Sequence, residues 1–144
     1  MKTLFDTSVI IAALVESHPM HSRAFPWLKQ AKLKSFELIV ASHTLAELYA
    51  VLSTLPIKPR ISPAVAWRLI HENFETISKV ISLTATEYSD VIKHLSESGL
   101  SGGIVYDALI ARVAQKAKVK RLLTFNSEHF KRVWPMGDNI ILSP

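Results

Sequence analysis

The chain has 144 residues, of which 49% are hydrophobic and 20% charged; that length suits one domain, and the composition excludes a disordered or fibrous chain. It contains no cysteine, which excludes disulfides, thiolate-held metals and a cysteine nucleophile. Lys and Arg number 17 against 12 Asp and Glu, a net charge of +5 that suits a polyanionic partner and equally serves plain solubility.

Leu4-Phe5 followed by Val9-Ile10-Ile11 predicts a short buried strand running directly into a helix, with Asp6-Thr7-Ser8 at the junction. His18 to Pro26 is predicted as a loop and Trp27 to Leu33 as the next helix. Glu37 to Ala41 reads as a strand, and Ser42 as the cap of a helix reaching about Leu55, along which Leu45, Leu48, Leu52 and Leu55 recur at helical spacing. Pro56, Pro59 and Pro63 mark a turn, Ala64 to Phe74 a helix and Val80 to Leu83 a strand. Thr84 to Ser98 is predicted helical, with Gly99 ending it in a left-handed conformation. Further helices are expected from Ile104 to Lys118 and Ser127 to Val133, and strands at Arg121 to Phe125 and Ile140 to Leu142. Strands alternating with helices predict one α/β domain over residues 1–144: a mainly parallel sheet of four or five strands between two helical layers. No apolar run reaches the roughly 18 residues of a membrane span, and the residues after Met1 do not have the build of a signal peptide, so the cytoplasm is the expected compartment and no membrane partner is expected.

Three isolated acids stand out. Asp6 is the only formal charge from Thr3 to Val15, Glu47 the only one from Leu38 to Ile57, and Asp107 the only one from Ser98 to Ala111. An ionised carboxylate in apolar surroundings costs several kcal/mol unless a positive or hydrogen-bonding group compensates it. In an open α/β sheet ligands collect beyond the carboxyl ends of the strands, where Asp6 and Asn126 are expected. Glu47 follows the second strand by at most two helical turns, and Asp107 opens a helix on the face of Ile110, Ala111 and Ala114. Capping accounts for either aspartate alone; it does not account for Glu47. Three converging carboxylates call for a hard divalent cation, Mg²⁺ or Mn²⁺. Such an ion suits phosphodiester hydrolysis.

Phe5-Asp6-Thr7-Ser8-Val9-Ile10, Glu47 in a helix after a strand, Asp107-Ala108-Leu109-Ile110-Ala111, and Leu123-Thr124-Phe125-Asn126-Ser127-Glu128-His129-Phe130 occur in an order and at separations that together resemble the PIN domain. Within that family the chain looks most like the VapC-type toxins of toxin–antitoxin pairs. The resemblance implies a PIN-like three-layer α/β/α sandwich and a Mg²⁺- or Mn²⁺-dependent endoribonuclease leaving a 5′-phosphate and a 3′-hydroxyl. It carries Asp6, Glu47 and Asp107 over as metal ligands, with Asn126 where many members have a fourth acid. Thr7, Ser8 and Thr124 would brace the site from behind, and Glu128 is a candidate for the missing carboxylate. Arg112 and Lys116, from the basic stretch of Arg112 to Arg132, are the candidates for holding RNA. An RNA substrate, a cognate antitoxin and a homodimer are the implied partners.

Three other readings compete: a DNA or flap nuclease on the same metal core, an RNA-binding module without turnover, and a phosphatase of the haloacid dehalogenase type. The last would require an Asp where Ser8 stands. Gly99 to Gly103 lacks the Lys-Ser/Thr ending of a P-loop. His18 and His21 read as solvated loop residues, His129 as support for the last helix, and His43, His71 and His94 show no spacing that implies a site.

Overall fold

The protein is described by a computed structural model covering residues 1–144. Five strands, β1 (Lys2–Phe5), β2 (Glu37–Ala41), β3 (Lys79–Ile81), β4 (Arg121–Leu123) and β5 (Ile141–Leu142), form one sheet in the order β3-β2-β1-β4-β5. Every neighbouring pair is parallel. The central strands are buried on both faces, which is why they read as unbroken apolar runs. Leu4, Ile39, Ala41 and Leu122 turn to one face, whereas Phe5, Leu38, Val40 and Leu123 turn to the other.

On the Phe5 side pack α1 (Thr7–Leu14), α2 (His21–Lys32), α3 (Ser42–Leu52) and α4 (Pro63–Ile70). On the Leu4 side lie α6 (Ile104–Ala117) and α7 (Ser127–Val133), with α5 (Ala85–Glu97) against α6 through Val91, Leu95, Ala108 and Leu109. This is the three-layer α/β/α arrangement expected from the alternation of elements. Gly99 ends α5 at φ 68, and the Leu100 amide closes back on the Leu95 carbonyl at 3.0 Å. No helix is long and apolar enough to cross a membrane.

Several boundaries differ from the sequence prediction, each for a local reason. Where a loop is predicted over His18 to Pro26, α2 already begins at His21 and carries Pro26 in its interior. Proline there removes one helical hydrogen bond, and the burial of Ala24, Leu28 and Ala31 against α1 outweighs it. Ser42 is not the cap: it is the first residue of α3, Ala41 holds the cap position, and no side chain caps the turn. That helix stops at Leu52 because the Ser53 and Thr54 hydroxyls bond back to the Tyr49 and Ala50 carbonyls, both at 2.6 Å. The helix predicted through Phe74 gives way after Ile70 to a wider π-helical turn over His71–Glu75. The edge strand β3 starts at Lys79 and ends at Ile81, short of Leu83.

Phe130 is fully buried between α7 and the sheet, in the cluster of Leu4, Ile110, Leu122 and Ile141. Phe130→Ala is expected to cost about 3–5 kcal/mol of unfolding free energy, measured by urea denaturation. A loss below about 1 kcal/mol would show that this layer does not pack as described.

Candidate active site

Asp6 is the residue at which β1 ends and α1 begins. Its amide donates to the Leu123 carbonyl at 2.9 Å, continuing the ladder to β4. Its own backbone then leaves the strand at φ −68 and ψ 157, and Oδ1 accepts the Thr7 amide at 2.7 Å as an N-cap. The second oxygen, Oδ2, accepts from the Ser8 hydroxyl and from the Thr124 hydroxyl, each at 2.8 Å. Those hydroxyls are themselves fixed. Ser8 Oγ accepts the Phe125 amide at 3.2 Å, and Thr124 Oγ1 accepts the Asn126 amide at 2.8 Å. The loops after β1 and β4 are thereby stitched together around one carboxylate that is only 2% exposed.

Glu47 reaches the same place from α3. Thr7 Oγ1 donates to its Oε1 at 3.1 Å and also lies 3.1 Å from the Thr44 hydroxyl, which ties α1 to α3. His43, one turn earlier on α3, places Nε2 at 3.5 Å from the same Oε1, and that nitrogen is buried without a hydrogen-bond partner. Asp107 arrives in the first turn of α6, and its Oδ2 stands 3.3 Å from His129 Nδ1 on α7.

The three acids behave as one electrostatic unit. Burial raises the Asp6 pKa above its usual 3.8, against the pull of the Thr124, Ser8 and Thr7 hydrogen bonds. Glu47 is likewise raised by burial, with His43 and Thr7 opposing and Asp6 adding. Asp107 is raised from 3.8 to about 6, first by burial and then by the Asp6 charge, with a further push from Glu47 against the pull of His129. Histidines are the only basic groups in ion-pair range of the three; no Lys or Arg compensates them.

The remaining predicted residues fall into place differently. Asn126 joins the site through its backbone amide, while its side chain is exposed and makes no hydrogen bond. Glu128 is exposed in the first turn of α7, without an ion pair and without effect on the three acids. Lys116 does not face open solvent as a free cation: Nζ bonds Glu87 Oε1 at 2.7 Å and the Ser82 carbonyl at 2.9 Å. Glu87 is held there by a capping box with Thr84 at the start of α5, and chiefly Lys116 lowers its pKa to about 2. Arg112 faces the other oxygen of Glu87 at 4.0 Å. Sequence reasoning missed His43, His129 and Tyr106, whose ring stacks on His43. Their partners lie on other helices or a turn away, and nothing in local spacing reveals them.

Residues 3–134 match the model of the PIN domain. The chain belongs to the PIN domain family. This PIN domain is 35% identical over 115 residues to ribonuclease VapC27 of Mycobacterium tuberculosis, covering 80% of this chain and 78% of that one. It is 33% identical over 117 residues to ribonuclease VapC40 of the same species, covering 81% of each. Among solved structures it resembles M. tuberculosis VapC20, described as a sarcin-ricin loop cleaving toxin, with a TM-score of 0.70 at 16% identity over 88% of this chain and 92% of that one. VapBC2 of Rickettsia felis, bound to a promoter DNA fragment, gives 0.66 at 21% identity over 100% and 99%. Both structural likenesses concern the fold.

The donor set of this PIN domain fits the divalent cation that the fold family implies. All donors are hard oxygens, and Glu47 Oε2 and Asp107 Oδ1 accept no hydrogen bond from the protein. No group of three or more acidic or histidine side chains stands close enough together here to hold a metal ion by itself. Mg²⁺ does not require such a group, since it keeps several waters and takes one or two carboxylates directly.

The sign of the pH dependence follows from the Asp107 shift. Its raised pKa makes a contribution to stability that is fully present below pH 3.8 and lost as pH rises through about 6. In EDTA the protein is expected to gain stability relative to Asp107→Asn as pH falls from 7 toward 4, by about 1 kcal/mol or more. Parallel thermal-denaturation profiles of the two proteins across that range would contradict the assigned burial and charge coupling.

Proposed function

We propose that this PIN domain is a divalent-cation-dependent endoribonuclease acting in the cytoplasm as the toxin of a toxin–antitoxin pair. The observation that carries the proposal is that Asp6 and Glu47 are both hydrogen-bonded to Thr7, with Asp107 raised by the charges of both and no Lys or Arg in ion-pair range of the three. Such a cluster costs stability and is retained where an ion uses it. Identity to two VapC ribonucleases over four-fifths of the chain supports the choice of RNA as substrate.

Asp6, Glu47 and Asp107 would hold Mg²⁺ or Mn²⁺. When bound, such a cation polarises a phosphoryl oxygen, lowers the pKa of a bound water and offsets charge that builds during displacement. The chain itself supplies orientation. Ser8, Thr124 and the Thr7 amide fix both Asp6 oxygens, Thr7 fixes Glu47 through Oε1, and His129 sits against Asp107 Oδ2, so that Glu47 Oε2 and Asp107 Oδ1 are left without a hydrogen bond from the protein. Partners of this kind typically change metal affinity or activity by about 10–100-fold when removed. The likeness to VapBC2 supports a cognate antitoxin as partner, and a homodimer is part of the same proposal.

A second reading, an RNA-binding module without turnover, draws support from the open arrangement of the acids and from Asn126 in place of an acid. One set of assays separates the two. Cleavage of a labelled structured RNA in Mg²⁺ is expected to yield 5′-phosphate ends, to stop in EDTA and to fall by more than about 100-fold in Asp6→Asn. Persistent cleavage in EDTA would overturn the cation-dependent mechanism, and salt-sensitive binding without any cleavage would favour the module. Thr124→Val, which keeps the shape and deletes both hydrogen bonds of Oγ1, is expected to weaken Mg²⁺ affinity by about 10–100-fold, read by calorimetric titration. Unchanged affinity would show that Asp6 needs no such bracing.

A further inference from the structure

The aromatic pair beside the acids supplies no ligand to the proposed cation site. Tyr106 immediately precedes Asp107 on α6, and His43 precedes Glu47 by one turn on α3. Their rings lie 5.0 Å apart between centroids and within 7° of parallel. The stack therefore bridges the two helices that carry the outer acids. His43 is the covered member and its Nε2 is buried, whereas Tyr106 remains 48% exposed with only one ring face on the imidazole. The Tyr106 hydroxyl makes no hydrogen bond to the protein.

Electrostatics sharpens what such a ring is for. A polynucleotide at this site brings phosphates toward three acids, and the two cations of α6, Arg112 and Lys116, are turned to Glu87. Charge alone gives the nucleotides beside the acids little hold. Stacking does not depend on charge neutralisation, and every nucleobase offers a π-face. Aromatic rings favour offset stacking, and the near-parallel His43 ring already covers one face of Tyr106 in that way.

We propose that Tyr106, backed by His43, is the platform on which a nucleobase flanking the scissile phosphodiester stacks. The proposal rests on the ribonuclease reading and adds a positioning residue to it. It makes substrate placement depend on an unpaired, extruded base next to the cleaved bond, so that single-stranded loops are preferred over continuous duplex.

The test uses Tyr106→Phe and Tyr106→Leu in the full chain, each built on the Asp6→Asn background so that RNA is bound without being cut. The probes are a loop RNA and a set of copies carrying one abasic nucleotide at each position around the cleavage site. Tyr106→Leu is expected to weaken the intact RNA roughly 10-fold, whereas Tyr106→Phe stays within about twofold because the ring is kept. At one abasic position the difference between the Tyr106→Leu variant and its parent should vanish, and 2-aminopurine placed there should be quenched by the parent and not by that variant. A purely structural role for the stack would weaken every RNA alike, and that outcome, or equal losses for Tyr106→Phe and Tyr106→Leu, overturns the platform. If Tyr106→Leu binds all RNAs as tightly as its parent while the wild-type protein cleaves RNA normally, the platform alone falls. If the wild-type protein neither binds nor cleaves RNA, the ribonuclease reading falls first and takes this inference with it.

Discussion

The carboxylate of Asp6 is placed where a charge is least welcome, at the sealed end of the central strand, and it stays because three donors and two loops are built around it. Its Oδ1 caps α1 and its Oδ2 collects the Ser8 and Thr124 hydroxyls. Those hydroxyls in turn accept amides from Phe125 and Asn126. Each donor favours the ionised form, yet burial still outweighs them and holds the pKa up. Hydrogen bonding here orients the charge without neutralising it. That imbalance leaves a carboxylate not fully compensated by the protein, and on the proposed function a cation would relieve all three acids at once.

Topology explains why three distant acids can share that imbalance. β1 is the middle strand of five, flanked by β2 and β4. In a parallel sheet every strand ends at the same edge, so the residues leaving β1, β2 and β4 emerge side by side. Asp6 leaves β1 directly. Glu47 follows β2 by way of α3, and Thr124 leaves β4. Asp107 comes from the opposite layer, where α6 packs on the sheet through Ile110, Ala111 and Ala114 and tips its first turn toward the same edge. The two outer acids thus come from opposite helical layers, on α3 and α6, and the His43–Tyr106 stack joins those helices.

How much of this was legible in the sequence depends on the range over which the signal acts. Asp6, Glu47 and Asp107 stand out because each is a single charge in an apolar run, a contrast visible without any knowledge of the fold. The strand runs Leu4-Phe5 and Glu37 to Ala41 are equally plain, since burial on both faces leaves no polar interruption but the ends. Pro26 misleads: its local preference argues for a loop, whereas α2 buries Ala24, Leu28 and Ala31 against α1, and only tertiary packing decides the matter. Lys116 misleads in the opposite way. Its charge looks free until α5 brings Glu87 against it from 29 residues away. The pairings of His43 with Tyr106 and His129 with Asp107 join side chains from different helices, and a histidine's sequence neighbours carry no trace of such a partner.

The charge distribution has a consequence for how substrate must be held. The chain carries a net +5, yet no Lys or Arg stands at the acids, and the two cations nearest along α6 are engaged by Glu87. A cationic side chain at the acids would lower the pKa values that burial has raised, and would compete with the ion for the same oxygens. The absence of positive charge there leaves the three acids uncompensated by Lys or Arg, and leaves no direct hold on a phosphate beside them. On the proposed function, binding next to the scissile bond would fall to shape and stacking, while excess positive charge elsewhere on the surface would serve long-range attraction of a polyanion. On that same proposed function, negative centre and positive surroundings are parts of one arrangement: the field would draw RNA in, and the uncompensated acids would keep the place of cleavage reserved for a metal.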